Sequence, residues 1–250
     1  MSEGFHHIAP PALEMRGLAL RYAGQPLFEG LTMSVPAGCC TALLGASGVG
    51  KTSLLRIAAG LATPDAGSVQ ASDGLPLAGR IAWMGQQDLL YPWARVLENV
   101  TIGSRLRGER ADKPRALTLL EAVGLRGWER ALPKELSGGM RQRVALARTL
   151  YEDRPVVLMD EPFSALDAIT RAAMQTLAAR LLTGRTTLLI THDPMEACRL
   201  AHGLYVLSGR PARLGKEIFV PGMPPRAPDD AGVLRIQGEL LRVLLAGSAA

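Results

Sequence analysis

A glycine-rich run that ends in lysine and threonine is the first part of this sequence able to carry out chemistry. Residues 45–52 read GASGVGKT and fit the pattern G-x-x-x-x-G-K-[ST]. Glycines accept positive φ values, so backbone N–H groups can curl around phosphates. Lys51 could reach the β- and γ-phosphates of a nucleotide, and Thr52 could ligate Mg²⁺. The run therefore predicts a nucleoside triphosphate site. Its predicted contact residues are Gly45, Ala46, Ser47, Gly48, Val49, Gly50, Lys51, Thr52 and Ser53.

Two consecutive acids form the second candidate site. Residues 156–159 are apolar, and Asp160 and Glu161 follow directly. In open α/β sheets, ligands bind at the carboxyl ends of the strands. Asp160 is therefore predicted to hold Mg²⁺, directly or through water, and Glu161 to activate the attacking water as general base. Alone, such a pair could equally cap a helix; beside a phosphate loop the chemical roles are favoured.

A third segment, LSGGMRQR at residues 136–143, precedes a helical pattern. Ser137 is a favourable N-cap, and Gly138 and Gly139 leave the first N–H groups of the helix accessible to an anion. The alternative is an ordinary capped helix without a ligand. A second anion-binding helix end raises the question of which phosphate it serves.

The elements that must position these residues alternate between strands and helices. This alternation predicts a parallel sheet covered on both faces. Two N-terminal apolar segments, at 18–20 and 31–35, resemble strands of an antiparallel layer, and residues 95–150 form a helical block. Predicted strands of the parallel sheet cover residues 40–44, 81–84, 156–159 and 186–190, and predicted helices cover 51–59, 167–182, 194–201 and 233–245.

Composition excludes several classes of protein. With 48% apolar and 20% charged residues, the 250-residue chain is not wholly disordered. Aromatic residues are only 4%, and no run of five like charges occurs, so no nucleic-acid partner is predicted despite a net charge of +5. The charge-free stretch at 30–50 is interrupted by Gly and Pro and does not predict a membrane helix. His6 and His7 in a loose leader (1–12) are interpreted as incidental, and the three cysteines as packing residues.

Together these motifs resemble the ATP-binding subunit of ATP-binding-cassette (ABC) transporters over roughly residues 13–220. The family's motifs occur in order: the phosphate loop, Gln86, the LSGGMRQ signature, VVLMDEP, SALD at 164–167, and THD around His192. The resemblance implies an α/β fold, namely an ABC-type P-loop NTPase with a RecA-like core and an N-terminal antiparallel β layer. It also implies a helical subdomain inserted at about 90–150 and, at 221–250, a linker and C-terminal helix.

The resemblance also implies roles for single residues. Tyr22 would stack on adenine, although a tyrosine in a strand is as often part of the core. Gln86 would contact Mg²⁺ or its water and sense a membrane partner, with Gln87 as an adjacent competitor. His192 would bind the γ-phosphate and orient Glu161 and the attacking water.

Further roles follow from the family's head-to-tail homodimer, which holds two ATP molecules, each between the phosphate loop of one subunit and the signature of the other. Ser137, Gly138, Gly139 and Gln142 would serve the nucleotide of the partner, and Asp167 would bridge the dimer. Separate membrane permease subunits and, indirectly, a solute-binding protein are the other expected partners. The chain is expected to be cytoplasmic and peripheral on the inner face of the cell membrane.

The branch of the family is indicated by two further segments. The run around residues 83–93 and LSGRPARL near the C-terminus resemble importers of nitrate, sulfonate, taurine or thiamine precursors, with the hydroxymethylpyrimidine group most similar. An exporter or release ATPase is the alternative within the family. A DNA-maintenance ATPase is disfavoured because no long coiled coil separates Gln86 from Leu136. A non-enzymatic binding module is disfavoured because no catalytic motif is missing.

Overall fold

The computed structural model describes residues 9–248, so His6, His7 and most of the predicted leader lie outside the described residues. A small antiparallel sheet forms first. β1 (Leu13–Tyr22) pairs with β2 (Gln25–Val35) on one side and with β4 (Ala66–Ala71) on the other. The alternation seen in the sequence directs one face of β1 and β2 into the core. β4 was not predicted because its sequence, AGSVQA, has little apolar alternation.

The larger sheet contains the predicted parallel strands. Its strand order is β10-β8-β3-β7-β6-β5, with β9 paired to β8. The strands β8, β3, β7, β6 and β5 are mutually parallel, and β9 and β10 are antiparallel to β8. Every residue of β6 and β7 is buried, as expected when both faces are covered by other elements. Its strands are β3 (Cys40–Gly45), β5 (Ile81–Met84), β6 (Val156–Asp160), β7 (Thr186–Ile190), β8 (Gly203–Ser208), β9 (Arg213–Leu214) and β10 (Ile218–Phe219).

Helices cover the parallel sheet and fill the predicted helical block, which consists of four α-helices and one turn of 3-10 helix (Pro133–Glu135). The longest of the four, α5, packs against α2, α4 and β5 and so joins the block to the sheet. The helices are α1 (Lys51–Ala58), α2 (Val96–Val100), α3 (Ile102–Leu106), α4 (Lys113–Ala122), α5 (Gly138–Tyr151), α6 (Ala168–Leu181), α7 (Pro194–Leu200) and α8 (Ala231–Ser248).

The C-terminal helix packs against the helix and the strand that precede the linker. α8 contacts α7 and β8, and it buries Val233, Ile236 and Leu240. Arg226, in the preceding linker, donates from its guanidinium to the carbonyl oxygens of Cys198 and Ala201 at 2.9 and 2.8 Å, which fixes the linker to the end of α7. Within residues 9–248, no helix combines the length and apolar character that crossing a bilayer requires.

Candidate active site

The phosphate loop connects β3 to α1 at the carboxyl edge of the parallel sheet. Two of its glycines are required by backbone geometry. Gly45 has φ +154°, and a Cβ there would lie 2.3 Å from the carbonyl oxygen of Leu207. Gly50 has φ +109°, and a Cβ there would lie 3.1 Å from the Leu27 side chain. A side chain at position 45 would therefore clash with the backbone, and a side chain at position 50 would strain a backbone conformation that glycine adopts freely.

Lys51 is the first residue of α1 and lies buried under the loop. Its Nζ donates to the carbonyl oxygens of Gly45 and Ala46 at 2.8 and 2.9 Å. Burial lowers the pKa of Lys51, and the charges of Glu161 and Asp160 oppose that shift. No acidic residue lies in the first turn of α1, so the positive end of the helix adds to the field of the lysine. The loop is therefore electropositive where an anion would bind.

Asp160 and Thr52 place two hard oxygen atoms beside the loop. The Thr52 hydroxyl donates to Asp160 Oδ2 at 2.7 Å, and Asp160 is buried. Burial raises the pKa of Asp160 and the Glu161 charge adds to that effect, whereas the Thr52 hydrogen bond and the Lys51 charge lower it. Carboxylate and hydroxyl oxygens are the donors that Mg²⁺ prefers, and a divalent cation would relieve the desolvation of Asp160. The pair fits a magnesium site.

The Glu161 carboxylate lies between two predicted site residues. His192 Nδ1 is 3.2 Å from Glu161 Oε1, and Gln86 Nε2 donates to Glu161 Oε2 at 3.4 Å. The three side chains follow β5, β6 and β7, which are neighbours in the sheet, so their carboxyl ends meet. This arrangement can orient a carboxylate that accepts a proton from water.

The backbone of Glu161 is held in the left-handed region, with φ +48°. Such a conformation costs about 1–3 kcal/mol for a non-glycine residue and persists only when surrounding contacts impose it. The Glu161 N–H donates to Ile190 O at 2.9 Å, and Glu161 O accepts from Gln142 Nε2 and Ser164 Oγ, both at 3.1 Å. These contacts fix the direction in which the carboxylate points.

Gln142 therefore differs from the other signature residues. The family resemblance predicted that all four would contact the nucleotide bound to the partner. It is 6% exposed, and its Oε1 accepts from the Ala165 N–H at 2.8 Å. Helical periodicity explains this position, because Gln142 shares the buried face of α5 with Ala145, Leu146 and Thr149. In this structure its side chain faces the Glu161 loop of its own chain.

Most of the residues predicted to contact ATP line a common cavity of about 320 Å³; Gly45, Ala46 and Val49 are not part of its lining. Tyr22 is 79% exposed at the end of β1, so it is part of the cavity rim and not of the core. The signature residues Ser137, Gly138 and Gly139 are absent from its lining. The cavity is lined by Tyr22, Leu27, Ser47, Gly48, Gly50, Lys51, Thr52, Ser53, Gln86 and Glu161.

Ser137 and Asp167 both act as helix caps. Ser137 Oγ accepts from the Met140 N–H at 3.2 Å at the start of α5. Asp167 Oδ1 accepts from the N–H groups of Thr170 and Ile169 at 3.0 and 3.2 Å at the start of α6. The hydrogen bond from Thr170 lowers the pKa of Asp167. Both helix starts are exposed, so capping leaves them open to a second chain.

Comparison with known proteins gives consistent matches. The profile of the ABC transporter family matches residues 28–164. An aliphatic sulfonates import ATP-binding protein of Rhodococcus jostii is 43% identical over 235 residues, covering 93% of each chain. A taurine import ATP-binding protein of Yersinia pestis is 41% identical, covering 86% of this chain and 89% of the relative. Among solved structures, a dimeric ATP-binding cassette in a post-hydrolysis state with ADP and Pi has a TM-score of 0.75 at 27% identity. It covers 84% of this chain and 100% of that structure.

Proposed function

We propose that this chain, which belongs to the ABC transporter family, is the ATP-hydrolysing subunit of an importer for a small organosulfonate. Its enzymatic activity is that of an ABC-type ATPase with an ATP site. The observation that carries the proposal is the meeting of Lys51, the Thr52–Asp160 pair and the Glu161–His192 pair at one edge of the sheet.

These contacts support the roles proposed for Lys51 and Glu161, and the family resemblance supplies those of Tyr22 and His192. Lys51 leaves its two loop carbonyls to bind the β- and γ-phosphates, and Tyr22 stacks on the adenine. Glu161 accepts a proton from water as the water oxygen bonds to the γ-phosphorus and the bond from phosphorus to the bridging oxygen breaks. His192, held at Glu161, faces the γ-phosphate and keeps the carboxylate directed at the water.

Thr52, Asp160 and Gln86 would hold Mg²⁺, with Asp160 and Gln86 acting directly or through water. The ion supplies charge neutralisation for the phosphate oxygens. Few protein ligands suffice, since Mg²⁺ usually keeps several waters and binds phosphate.

The complete site requires two copies of the chain. Ser137, Gly138 and Gly139 are exposed or partly exposed at the start of α5 and lie outside their own chain's ATP cavity. Beside Asp167, Ile169 is 85% exposed, an unusual environment for a large aliphatic residue that a dimer interface would cover. We infer a homodimer in which the signature residues contact the ATP bound to the partner, as the dimeric state of the solved relative suggests.

Ser137→Arg tests this shared site. The phosphate loop of the variant is intact, so ATP binding should be retained. Hydrolysis should fall to near background because the arginine blocks the helix end that reaches the partner's nucleotide. Mixing this variant with Lys51→Ala subunits should restore hydrolysis in part, because one composite site can then combine two intact motifs. Hydrolysis by a strictly monomeric chain at the full rate would contradict the shared site.

A membrane partner is supported by the segment after Gln86. Trp93 is 76% exposed there, and Leu89 is also exposed. The segment is tied to the signature helix α5, because Arg148 Nη1 donates to Leu89 O at 2.8 Å and Arg141 Nε to Asp88 Oδ2 at 3.0 Å. A permease that presses on this surface would thus move α5 and its cap. The chain would then lie in the cytoplasm against the inner face of the cell membrane.

The proposed domain boundaries are based on these proposed roles. We assign residues 13–220 to the ATP-binding domain, with a helical subdomain at about 90–150 that carries the permease surface and the signature. We assign residues 221–250 to the linker and the C-terminal segment, in which α8 ends at Ser248.

The class of cargo is proposed from the relatives, whose names specify aliphatic sulfonates and taurine. The resemblance of residues 83–93 to pyrimidine-precursor importers is the weaker indication, because it rests on one short segment, whereas the sulfonate and taurine relatives match over 235 and 229 residues. The test is to co-purify the permease, reconstitute it with its solute-binding protein, and compare ATPase stimulation by taurine, an alkanesulfonate and hydroxymethylpyrimidine. Stimulation by a sulfonate is expected. Stimulation by hydroxymethylpyrimidine alone, or transport out of the cell, would contradict the proposal.

A further inference from the structure

Gln142 is the one signature residue to which the proposed function assigns no role. Its side-chain amide can donate two hydrogen bonds and accept two. Its hydrogen bonds within residues 9–248 all join it to the loop that follows β6, at residues 161–165. The amide nitrogen Nε2 donates to Glu161 O at 3.1 Å and to Ser164 Oγ at 3.3 Å, and Oε1 accepts from the Ala165 N–H at 2.8 Å. Gln142 therefore holds both the first and the last residue of this loop.

The loop at 161–165 depends on these contacts for its conformation. Glu161 has φ +48°, which a non-glycine residue keeps only when surrounding contacts impose it. Phe163 is buried in the middle of the loop, but Ser164 and Ala165 are exposed, so burial does not fix the end of the loop. Gln142 is itself buried, and hydrogen bonds shielded from water are stronger than exposed ones. Its amide thus joins the strained residue to the exposed end.

The helix α5, which carries Gln142, is linked to this loop and also to the surface proposed to meet the permease. A Cβ added at Gly139 would lie 3.3 Å from Ala165 O, so the first turn of α5 approaches the loop closely. In the last turn of the helix, Arg148 donates to Leu89 O at 2.8 Å. Because α5 is one continuous helix of 14 residues, a force on the Leu89 segment would also displace Gln142.

We propose that Gln142 is a positioning residue for Glu161, through which the position of α5 sets the direction of the carboxylate in the same chain. This inference rests on the proposed function, in which Glu161 accepts a proton from water. With α5 placed as in this structure, the hydrogen bonds of Gln142 keep Glu161 in its left-handed conformation and its carboxylate at His192. A shift of α5 away from the loop would break them. Gln142 does not line the ATP cavity, so it acts on hydrolysis only through Glu161.

Gln142→Met in the full chain tests this role, because methionine keeps the length of the side chain and removes its hydrogen bonds. We expect kcat for ATP hydrolysis to fall about tenfold, a loss equal to about 1.4 kcal/mol. KM for ATP should stay within about twofold of the wild-type value, because the phosphate loop is untouched. Gln70→Met, the same change at an exposed glutamine of β4, should keep the wild-type kcat. An unchanged kcat in folded Gln142→Met, or a change confined to KM, would overturn the proposal.

A double-mutant cycle separates positioning from a general loss of stability. In a Glu161→Gln chain the group that Gln142 positions is already inactive as a base. Adding Gln142→Met to that chain should therefore change the residual hydrolysis by less than about twofold. A further tenfold loss in the double variant would show that Gln142 acts on something other than Glu161, and the proposal would then be wrong.

Gln142→Glu decides the question if Gln142→Met does not fold. Its carboxylate can still accept from the Ala165 N–H, but it cannot donate to Glu161 O. We expect kcat to fall at least as far as in Gln142→Met, and a wild-type kcat would contradict the proposal. Ser164→Ala leaves the bond from Gln142 to Glu161 O intact and should lower kcat by less than about threefold. A crystal structure of a Gln142 variant should show the Glu161 carboxylate displaced from His192; an unmoved carboxylate would also contradict it.

The link through α5 is tested with the permease and its solute-binding protein reconstituted. The factor by which cargo stimulates ATP hydrolysis should fall toward one in Gln142→Met, because a movement of α5 no longer reaches Glu161. It should be retained in Gln70→Met. Undiminished stimulation in Gln142→Met would exclude the coupling. A wild-type chain that hydrolyses no ATP in any of these assays would instead contradict the proposed function, and this inference with it.

Discussion

Glu161→Gln is expected to lower ATP hydrolysis by about 10²–10⁴-fold while ATP binding is retained, because general-base catalysis contributes that factor. Glutamine keeps the size of the side chain and can still contact Gln86 and His192, which hold the carboxylate at 3.4 and 3.2 Å. It cannot accept a proton from the attacking water. It also removes a negative charge near the triphosphate, so ATP should bind at least as tightly.

In the proposed homodimer each ATP joins the two subunits, so a variant that binds ATP without hydrolysing it should remain dimeric. Size-exclusion chromatography with ATP and Mg²⁺ should show a dimer for Glu161→Gln, and phosphate release should be near background. Glu239→Gln, an exposed glutamate on α8, is the matched control and should behave as the wild type. A Glu161→Gln protein that stays monomeric and hydrolyses ATP normally would move the base elsewhere, with His192 the next candidate.

Asp160→Asn should give a different defect, which separates the two adjacent acids. Asp160 contacts Thr52 and not His192, and its buried carboxylate supplies a hard, charged oxygen. We expect the Mg²⁺ concentration needed for half-maximal hydrolysis to rise about tenfold or more. An unchanged Mg²⁺ dependence would exclude Asp160 as a ligand.

The ATP-binding half of the site could be predicted from sequence because its geometry is local. The loop at 45–52 lies between one strand and one helix, so the spacing of Gly45, Gly50 and Lys51 determines where backbone and ammonium point. Asp160 and Glu161 were predictable for a related reason, because they stand at the carboxyl end of an apolar strand, where α/β sheets bind ligands. His192 was identified only through the family resemblance; β7 ends just before it, beside β6.

The contacts that orient Glu161 were not predictable in the same way. No glycine marks its positive φ, which is held by long-range hydrogen bonds with Gln142 and Ile190 and by a local one from Ser164. Gln142 was identified by its motif, but whether it faces its own chain or a partner depends on how α5 is rotated. Only helical periodicity along α5 could have indicated the buried face.

Long-range side-chain contacts were also missed. Arg148 holds the carbonyls of Asp88 and Leu89, 60 and 59 residues away in sequence. No local pattern specifies such a pairing, since arginine is common throughout this chain. The strands β9 and β10 were missed because each has only two residues. The internal strand β8 was also missed, although its apolar run, residues 204–207, is as long as β5.

Lys51→Ala is expected to weaken ATP binding about 100-fold or more. The ammonium already lies in place, donating to Gly45 O and Ala46 O at 2.8 and 2.9 Å, so binding exchanges these carbonyls for phosphate oxygens. A hydrogen bond that involves a charged group is worth about 1.5–3 kcal/mol, and each 1.4 kcal/mol is a factor of ten in Kd. Two such bonds to the β- and γ-phosphates therefore account for the expected loss.

The remaining backbone N–H groups and the start of α1 should still bind nucleotide weakly, so the effect should be larger for ATP than for ADP, which lacks the γ-phosphate. Lys51→Arg should not restore binding, because a planar guanidinium is larger than the ammonium that is buried under the loop. Lys216→Ala, an exposed lysine in a loop, is the charge-matched control. Isothermal titration with ATP and ADP measures both effects. Wild-type affinity and hydrolysis in folded Lys51→Ala protein would show that the loop at 45–52 is not the phosphate site.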